Sequence, residues 1–295
     1  MSHSSYEVLL FYKYVTIENP QKLAGWIREL AKKHSLLGRA IIAEEGINAT
    51  FEGIVKDTEA FVQELIQDGR LSNMSIKRSA GQGNTFPKLS VKVRDEIVGT
   101  HFPQEKVDPR IQTAPHLSPK ELRSWYANEK DFVVVDMRND YEFASGHFKD
   151  SINPGLENSR DLPQTLPKLE SLKDKKVVTV CTGGVRCEKM SAYLMSSGFT
   201  DVYQLQDGIH SYMEKYPGED FLGTLYTFDQ RLTMDFGGDR EIIGVCHLCN
   251  ATTEQYINCA NNFCHLHFLV CVDCFEPNGK TFCSIECKEK VSVKV

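Results

Sequence analysis

The sequence predicts an α/β protein of three units, with a doubly wound parallel sheet at its centre. Three observations predict this arrangement. A split β-α-β pattern fills the first third of the chain, and short apolar runs alternate with helical patterns in the middle third. Eight of the ten cysteines fall between Cys246 and Cys287, which indicates a small metal-binding module. A chain of 295 residues is long enough for two or three such units.

Residues 1–100 are predicted to form an α+β ferredoxin-like domain with the element order βαββαβ. Strands are expected at 8–15, 39–43, 47–51, 74–77 and 89–93. Asn19-Pro20 predicts the start of the first helix because proline fits the first helical turn, and Asp57 is expected to cap the second. Many unrelated proteins use this order, so it predicts a fold without a function.

Residues 101–117 are expected to be a connector because they carry three X-Pro steps, and residues 118–220 the central α/β domain. Ser118-Pro119 with Glu121 predicts a capped helix start. Strands are expected at 132–136, 176–180 and 201–205, with helices between them. Continuous apolar runs of this length are typical of strands buried on both faces of a parallel sheet. Residues 221–295 form the Cys-rich tail.

The composition is that of a soluble globular protein, with 41% apolar and 25% charged residues. The longest apolar runs are too short to cross a bilayer, and no secretory signal is visible at Met1, so we expect a cytoplasmic protein without a membrane partner. Thiols stay reduced in that compartment. The ten cysteines therefore predict a reactive site and a metal site instead of disulfides.

A basic stretch interrupts the overall charge of −6. Between 70 and 94 it has six basic residues and no acidic one: Arg70, Lys77, Arg78, Lys88, Lys92 and Arg94. Such a stretch can attract phosphates by charge alone. On charge alone, a solvated protein face is the simpler interpretation.

Cys181 is the predicted reactive thiolate. It follows a predicted buried strand directly and precedes a helix, and ligands bind in this crevice of open α/β sheets. The loop between Cys181 and Arg186 consists of Thr182, Gly183, Gly184 and Val185. Its glycines let the backbone N–H groups curl around the sulfur, and Arg186 adds a positive charge. Both features lower a thiol pKa.

The segment 136–143, Asp-Met-Arg-Asn-Asp-Tyr-Glu-Phe, followed by Gly146-His147-Phe148 and the Cys181 loop, resembles the rhodanese family. This resemblance implies that Cys181 can carry sulfur as a persulfide. Asp136 and Arg138 are assigned structural roles first, and His147 is interpreted as a structural histidine. Phosphatases of this fold place five residues between Cys and Arg. The shorter loop here disfavours that activity.

Cys187 lies directly after Arg186 and has two interpretations. It can act as a resolving thiol that attacks an oxidised or persulfidated Cys181. It can equally be a small buried residue that packs the helix on the sheet.

The tail cysteines form four closely spaced pairs: Cys246/Cys249, Cys259/Cys264, Cys271/Cys274 and Cys283/Cys287. Such spacing lets two thiolates reach one tetrahedral ion, so the pairs predict one or two structural Zn²⁺ ions. The pairs can combine sequentially or crossed, and His247, His265 and His267 are further candidate ligands. A short, loop-rich tail needs such metal to make up for its small core.

The three units together resemble the bacterial tRNA uridine hydroxylase family. The resemblance rests on Glu44-Glu45-Gly46-Ile47-Asn48-Ala49-Thr50, on the loop from Cys181 to Lys189 and on the Cys-rich tail. It implies hydroxylation of the wobble uridine, position 34 of tRNA, at C5 with molecular oxygen. The six basic residues then become candidate contacts to the tRNA backbone near the anticodon, with Cys181, Arg186 and Cys187 as catalytic candidates.

The sequence shows no flavin, haem or 2-His-carboxylate iron motif. A sulfur or electron donor is a further candidate partner. Two other classes stay open. A sulfurtransferase would need only the Cys181 loop and a persulfide. A thiol-based redox or binding module would use Cys181 as a sensor and the tail as a docking element.

Overall fold

The computed structural model describes residues 5–103, 107–238, 240–277 and 280–292. Its architecture confirms the predicted fold class: an N-terminal α+β domain, a central domain with a parallel sheet and a Cys-rich tail. Among the described helices, none has the length and apolar character that a membrane span requires.

The N-terminal domain is a five-stranded sheet covered by two helices on one face. Its elements are β1 (Tyr6–Tyr14), α1 (Pro20–Lys33), β2 (Leu37–Ala43), β3 (Gly46–Ile54), α2 (Val55–Leu65), β4 (Ile76–Ala80) and β5 (Leu89–Val93). The strand order is β4-β1-β3-β2-β5. The first four strands have the predicted ferredoxin-like arrangement, and β5 extends the sheet by pairing parallel to β2.

The two helix starts of this domain differ in how they are capped. Asn19 Oδ1 accepts from the Lys22 N–H at 2.9 Å, as predicted for α1. The prediction for α2 was wrong: the helix begins at Val55 and Asp57 lies within its first turn. The chain passes directly from β3 into α2, and Ile54 at the cap position has no side chain that can accept a hydrogen bond from the first helical turn. Strand β4 also begins later than predicted, at Ile76.

Side-chain alternation gives the N-terminal sheet one closed and one open face. On β1, β2 and β3, Phe11, Ile42 and Phe51 pack into the core beneath α1 and α2. Their neighbours along each strand point to the opposite face, which no helix of this domain covers. This open face is turned toward the central domain.

The central domain is a parallel sheet of four strands in the order β6-β10-β9-β7. Its elements are β6 (His116–Leu117), α3 (Pro119–Ala127), β7 (Val133–Asp136), α4 (Asp140–Ser145), β8 (Gly146–Phe148), α5 (Leu162–Thr165), β9 (Lys176–Val180), α6 (Val185–Ser196), β10 (Asp201–Leu205) and α7 (Gly208–Lys215). Short 3₁₀ turns flank α5. Helices α3 and α7 cover one face and α5 and α6 the other, so the sheet is doubly wound. Ser118 and Glu121 form the predicted capping box of α3.

The segment after α7 first continues the central domain and then reaches back to the N-terminal one. It contains β11 (Phe221–Gly223), β12 (Leu225–Tyr226), β13 (Thr233–Met234), β14 (Tyr256–Asn258), β15 (His267–Leu269) and α8 (Ile285–Ser292). Strand β11 pairs with β8. Near the β12–β13 ribbon, Arg231 Nη1 donates to Ser79 Oγ at 2.9 Å and to the Ala80 carbonyl at 3.1 Å. The tail therefore fastens two domains together.

Candidate active site

Cys181 lies in the turn between β9 and α6, at the carboxyl end of the central sheet. Gly184, at a φ of 100°, adopts the left-handed conformation that glycine accepts without strain. This conformation aims its N–H at Cys181 Sγ, 3.2 Å away. The N-terminus of α6 begins at the next residue and adds its positive dipole end.

Arg186 is held beside the sulfur by a buried carboxylate. Its guanidinium donates to both oxygens of Glu142, at 2.5 and 2.8 Å, and to Thr182 Oγ1 at 3.2 Å. Glu142 is fully buried at the start of α4. A bidentate pair of this kind fixes the plane of the guanidinium. Glu142 is part of the quoted signature, but sequence reasoning assigned it no role, since its partner is 44 positions away.

The surroundings of the two neighbouring thiols push their pKa values apart. Burial opposes ionisation of Cys181, but a hydrogen bond from Cys187, the Arg186 charge and backbone N–H groups lower its pKa to about 6. Burial and the adjacent Cys181 raise the pKa of Cys187 well above that of an ordinary thiol. These surroundings favour the thiolate at Cys181 and the protonated thiol at Cys187.

Two further residues of the signature have structural contacts. Arg138 is fully buried and pairs with Asp136 at 2.7 Å while donating to the Gly146 carbonyl at 2.5 Å. His147 hydrogen-bonds the Phe143 carbonyl through Nδ1 at 3.0 Å and stacks on the Phe143 ring. These contacts fit the structural roles expected from the sequence.

A cavity of about 370 Å³ lies between the Cys181 loop and the open face of the N-terminal sheet. The sheet contributes Leu10, Tyr12, Arg39, Ile41, Asn48 and Thr50. Ideal Cβ atoms added to Gly183 and Gly184 would meet Leu10 at 3.0 Å and Tyr12 at 2.8 Å, so the sheet closely covers the loop. Cys181 itself has no exposed surface and is one of the residues that line the cavity.

Buried polar contacts lock this sheet onto α6. Tyr12 donates to Glu188 at 2.9 Å, and Tyr14 donates to the Val185 carbonyl at 3.2 Å. Lys189, almost fully buried, pairs with Glu45 at 2.7 Å and Glu96 at 3.0 Å. Each of these contacts joins the N-terminal domain to the helix that follows Cys181. The cavity is therefore a fixed feature of the two domains together.

The cavity residues that were not predicted as site residues include Arg39, Arg160 and Phe228. The Phe228 ring is partly exposed and lies between two guanidiniums, 5.5 Å from that of Arg39 and 5.6 Å from that of Arg186. Phe228 comes from the tail, and Arg160 from a 3₁₀ turn. No local sequence signal marks either one, because only the domain arrangement brings them to the loop.

The basic stretch does not form one surface. Strands β4 and β5 are opposite edges of the sheet, about 19 Å apart at about 4.8 Å per strand. Arg78 lies on β4 with Glu7 as its partner, and Arg70 pairs with Asp68. Lys92 on β5 stands opposite Ile41, a cavity residue. Lys88, Lys92 and Arg94 are exposed.

The position of Lys77 differs from the prediction that this residue contacts a phosphate. It is 4% exposed, and its ammonium lies 2.9 Å from Asp207 at the start of α7. Strand β4 points Lys77 toward the same face as Leu10, because these two residues are paired across β1 and β4. Lys77 therefore holds the two domains together and cannot reach a backbone phosphate from this position.

The eight tail cysteines assemble into two tetrads. One comprises Cys246, Cys249, Cys271 and Cys274, and the other Cys259, Cys264, Cys283 and Cys287. The pairs are thus crossed, and within each tetrad the sulfurs lie within 4.8 Å of one another. Sulfur pairs stand 3.5 Å apart in both tetrads, close to the roughly 3.8 Å expected for tetrahedral Zn–S bonds of about 2.3 Å. Either tetrad could hold a metal ion.

The candidate histidine ligands lie outside these tetrads in the described part of the tail. His267 stacks on Tyr256, and its ring nitrogens contact Asn258 Oδ1 and the Tyr226 hydroxyl. His247 packs against Phe268.

Comparisons with known proteins match each unit of the chain separately. Residues 6–97 match the UPF0176 acylphosphatase-like domain, residues 118–215 the rhodanese-like domain and residues 222–288 the rhodanese C-terminal family. A rhodanese-related protein from Thermoplasma volcanium is 25% identical over 35% of this chain and 93% of its own, with a TM-score of 0.30.

Full-length relatives extend the match across all three units. The tRNA uridine(34) hydroxylase of Staphylococcus carnosus is 38% identical over 288 residues, and that of Staphylococcus aureus strain Newman is 40% identical over 290. Each match covers 96% of this chain and 89% of the relative. The chain therefore belongs to the tRNA uridine(34) hydroxylase family.

Proposed function

We propose that this protein hydroxylates uridine 34 of tRNA at C5, with molecular oxygen as co-substrate and Cys181 as the reacting group. The observation that carries the proposal is the Cys181 sulfur at a cavity, with the Gly184 N–H 3.2 Å away and Arg186 in the same lining. The names of its full-length relatives supply the substrate and the position. A cavity of about 370 Å³ is within the usual range for small-molecule sites and can accept a single base.

The reaction places one oxygen atom at C5 and reduces the other to water. It therefore consumes two electrons and two protons, which we assign to an external thiol donor. In this scheme the Cys181 thiolate adds to C6 of the uracil ring, and the electron density gained at C5 attacks oxygen. After reduction of the peroxide by the donor, loss of the C5 proton and of the Cys181 sulfur restores the ring double bond.

Entry of the base requires it to leave the anticodon stack. Bases of a single-stranded loop can be splayed into a pocket without breaking a duplex. Since Cys181 has no exposed surface, the base has to displace a neighbouring side chain, such as Leu10, before it touches the sulfur. Phe228 at the cavity offers an aromatic face on which the base can stack.

Cations around the cavity are suited to the anticodon backbone. Arg39 and Arg160 line it, and Lys92 and Arg94 lie on the adjacent sheet edge. These four are the proposed phosphate contacts nearest the chemistry. Arg70, Arg78 and Lys88 are proposed as more distant contacts, and Lys77 is not proposed again. Cys187 is proposed to donate to the Cys181 thiolate.

The tail is proposed to bind two structural Zn²⁺ ions, one in each Cys₄ tetrad, and the protein to act in the cytoplasm. Four-sulfur tetrahedral sites are typical of structural zinc. In this role the metal holds the crossed loops that place Tyr256 and His267 against α4, whose Glu142 fixes Arg186.

The test is mass spectrometry of tRNA nucleosides from a strain that lacks the gene and carries wild type or Cys181→Ala. We expect 5-hydroxyuridine and nucleosides derived from it to disappear in the deletion strain and to return only with wild type. An unchanged level in the deletion strain, or full rescue by Cys181→Ala, would contradict the proposal.

The same Cys181 loop would support a sulfurtransferase, and its four intervening residues are the observation that favours this second function. Purified protein assayed with thiosulfate and cyanide separates the two. Turnover without tRNA, together with unchanged nucleosides in the deletion strain, would establish the sulfurtransferase instead.

A further inference from the structure

Asn48 is the third residue of β3 and lies on the open face of the N-terminal sheet. Its neighbours Ile47 and Ala49 point into the core under α1 and α2, so Asn48 and Thr50 face the opposite way. Both line the cavity that Cys181 closes. An amide and a hydroxyl thus project from a rigid strand into the space proposed for the base.

The Asn48 carboxamide has a defined orientation. Its Nδ2 donates to the Ile97 carbonyl at 3.2 Å. A carbonyl oxygen can only accept, so the amide nitrogen must be the atom on this side and Oδ1 must point the other way. Among the described residues, Oδ1 has no hydrogen-bond partner, and it is not enclosed. The side chain therefore keeps its nitrogen at Ile97 and directs its acceptor oxygen away from that carbonyl.

A chain of buried contacts ties this acceptor to the reactive loop. The Ile97 N–H donates to Glu45 Oε1 at 2.8 Å, and the other oxygen of Glu45 pairs with Lys189 at 2.7 Å. Lys189 belongs to α6, the helix that begins directly after the Cys181 loop. Asn48 and Cys181 are thus fixed relative to each other by the same set of contacts, as a site that reads and reacts with one base requires.

We propose that Asn48 Oδ1 accepts the N3–H of the target uracil and thereby selects uracil over cytosine. This inference rests on the proposed hydroxylation of uridine 34. Uracil carries a donor at N3, whereas cytosine carries an acceptor there. A fixed carbonyl oxygen accepts a hydrogen bond from N3–H of uracil. Opposite cytosine, the same oxygen faces the lone pair of N3. Burying two unpaired acceptors costs free energy, and selection by such pairing is strong when the protein group cannot rotate.

The experiment compares binding of anticodon stem-loops that differ only in having uridine or cytidine at position 34. Dissociation constants are measured by fluorescence anisotropy for wild type, Asn48→Ala, Asn48→Asp and Asn128→Ala. Wild type is expected to prefer the uridine loop by about tenfold or more. Asn48→Ala is expected to bring the ratio close to one, mainly by weakening uridine binding. Asn48→Asp retains an acceptor and should keep a preference for uridine.

Asn128→Ala is the matched control, because Asn128 is exposed at the end of α3 and far from the cavity lining. It should keep the wild-type ratio. Circular dichroism and metal content are measured on each variant, so that a folding defect is recognised; a misfolded Asn48→Ala is replaced by Asn48→Ser. A wild-type ratio retained in a folded Asn48→Ala or Asn48→Ser protein would overturn the inference and leave the proposed function standing. Absence of uridine 34 hydroxylation by wild type would overturn the proposed function itself.

Discussion

The two cysteine-bearing regions of the molecule place the same side chain in opposite surroundings. Cys181 faces the Gly184 N–H, the Arg186 charge and one neighbouring thiol, all of which favour its thiolate. Each sulfur of the tail has three other sulfurs within 4.8 Å. The first arrangement leaves a single nucleophile facing a cavity, and the second forms a tetrahedral ligand set. Reactivity and metal binding are therefore set by neighbours instead of by cysteine itself.

The largest expected contrast separates Cys181→Ser from Cys271→Ser. Cys181→Ser should lower hydroxylation by about 10³-fold or more while keeping both metal ions, since it removes only the reacting group. Cys271→Ser should lose one of two bound Zn²⁺ ions and loosen the tail, because structural zinc contributes about 10 kcal/mol or more to folding. Metal analysis, circular dichroism and tRNA nucleoside analysis measure these outcomes.

Loss of metal from Cys181→Ser, or retention of two ions by Cys271→Ser, would contradict the assignment of reactivity to one region and metal binding to the other. Treating wild type with a strong chelator gives an independent check. It should remove the metal from both tetrads, loosen the tail at least as much as Cys271→Ser does, and leave the Cys181 loop able to react with a thiol reagent.

Glu142→Gln tests whether the buried ion pair between Glu142 and Arg186 stabilises the Cys181 loop. Burial opposes ionisation of Glu142, but Arg186 holds its pKa below the usual value, so the buried pair is charged on both sides. Removing the carboxylate charge leaves Arg186 buried without a counter-charge, and we expect a loss of about 3 kcal/mol of stability. Urea unfolding followed by fluorescence measures the change.

Glu219→Gln is the matched control for this variant. Glu219 also pairs with an arginine, Arg123, but at the surface, where such pairs contribute about 1 kcal/mol or less. Equal effects of the two substitutions would show that burial does not decide the role of Glu142.

The pH dependence of alkylation sharpens the comparison further. The thiolate is the reacting form, and the pKa of Cys181 is lowered to about 6, so its rate with iodoacetamide should rise through pH 6 and level off by pH 7 to 8. Below pH 6 the alkylation rate should be low, because Cys181 is then mostly protonated. Peptide mass spectrometry follows Cys181 separately from the tail cysteines, which the proposed zinc ions would protect. A midpoint near that of an ordinary thiol would contradict the role of Arg186 and the loop N–H groups.

The smallest expected effect belongs to Cys187. Cys187→Ser keeps a donor to Cys181, and Cys187→Ala removes it. The alkylation midpoint should stay near pH 6 in the serine variant and rise by up to about one pH unit in the alanine variant, which changes the rate at pH 6 by about tenfold or less. If both variants lose hydroxylation completely, Cys187 is a resolving thiol and not only a hydrogen-bond donor.

The local signals predicted most of the secondary structure and the reactive loop. The strand at 176–180, the capping box at Ser118 and the Cys-x-x-Gly-x-Arg spacing all depend on residues close in sequence. Three features were not predicted: the pairing of Arg186 with Glu142, the contact of Leu10 with the Cys181 loop and the position of Phe228. Each joins residues far apart in the chain, and no short pattern records such a contact.

In the basic stretch, residues that are close in sequence lie far apart in the structure. Its six residues are neighbours in sequence, and charge counting alone groups them together. Strand order separates Arg78 from Lys92 by the width of the sheet, and strand alternation buries Lys77 against Asp207. The sequence predicts that side chains alternate along a strand, but it does not predict that the central domain covers the face on which Lys77 lies.

The sequence by itself predicted Cys181 as the reactive residue and placed eight cysteines in pairs, because separations of three to five positions set which backbone and side-chain atoms can meet in one turn. The tertiary structure alone decided which pairs share a tetrad, which face of the N-terminal sheet meets Cys181 and where Asn48 points. These depend on how separate domains bury their open faces against each other. That burial is a property of complementary surfaces and leaves no periodic mark along the chain.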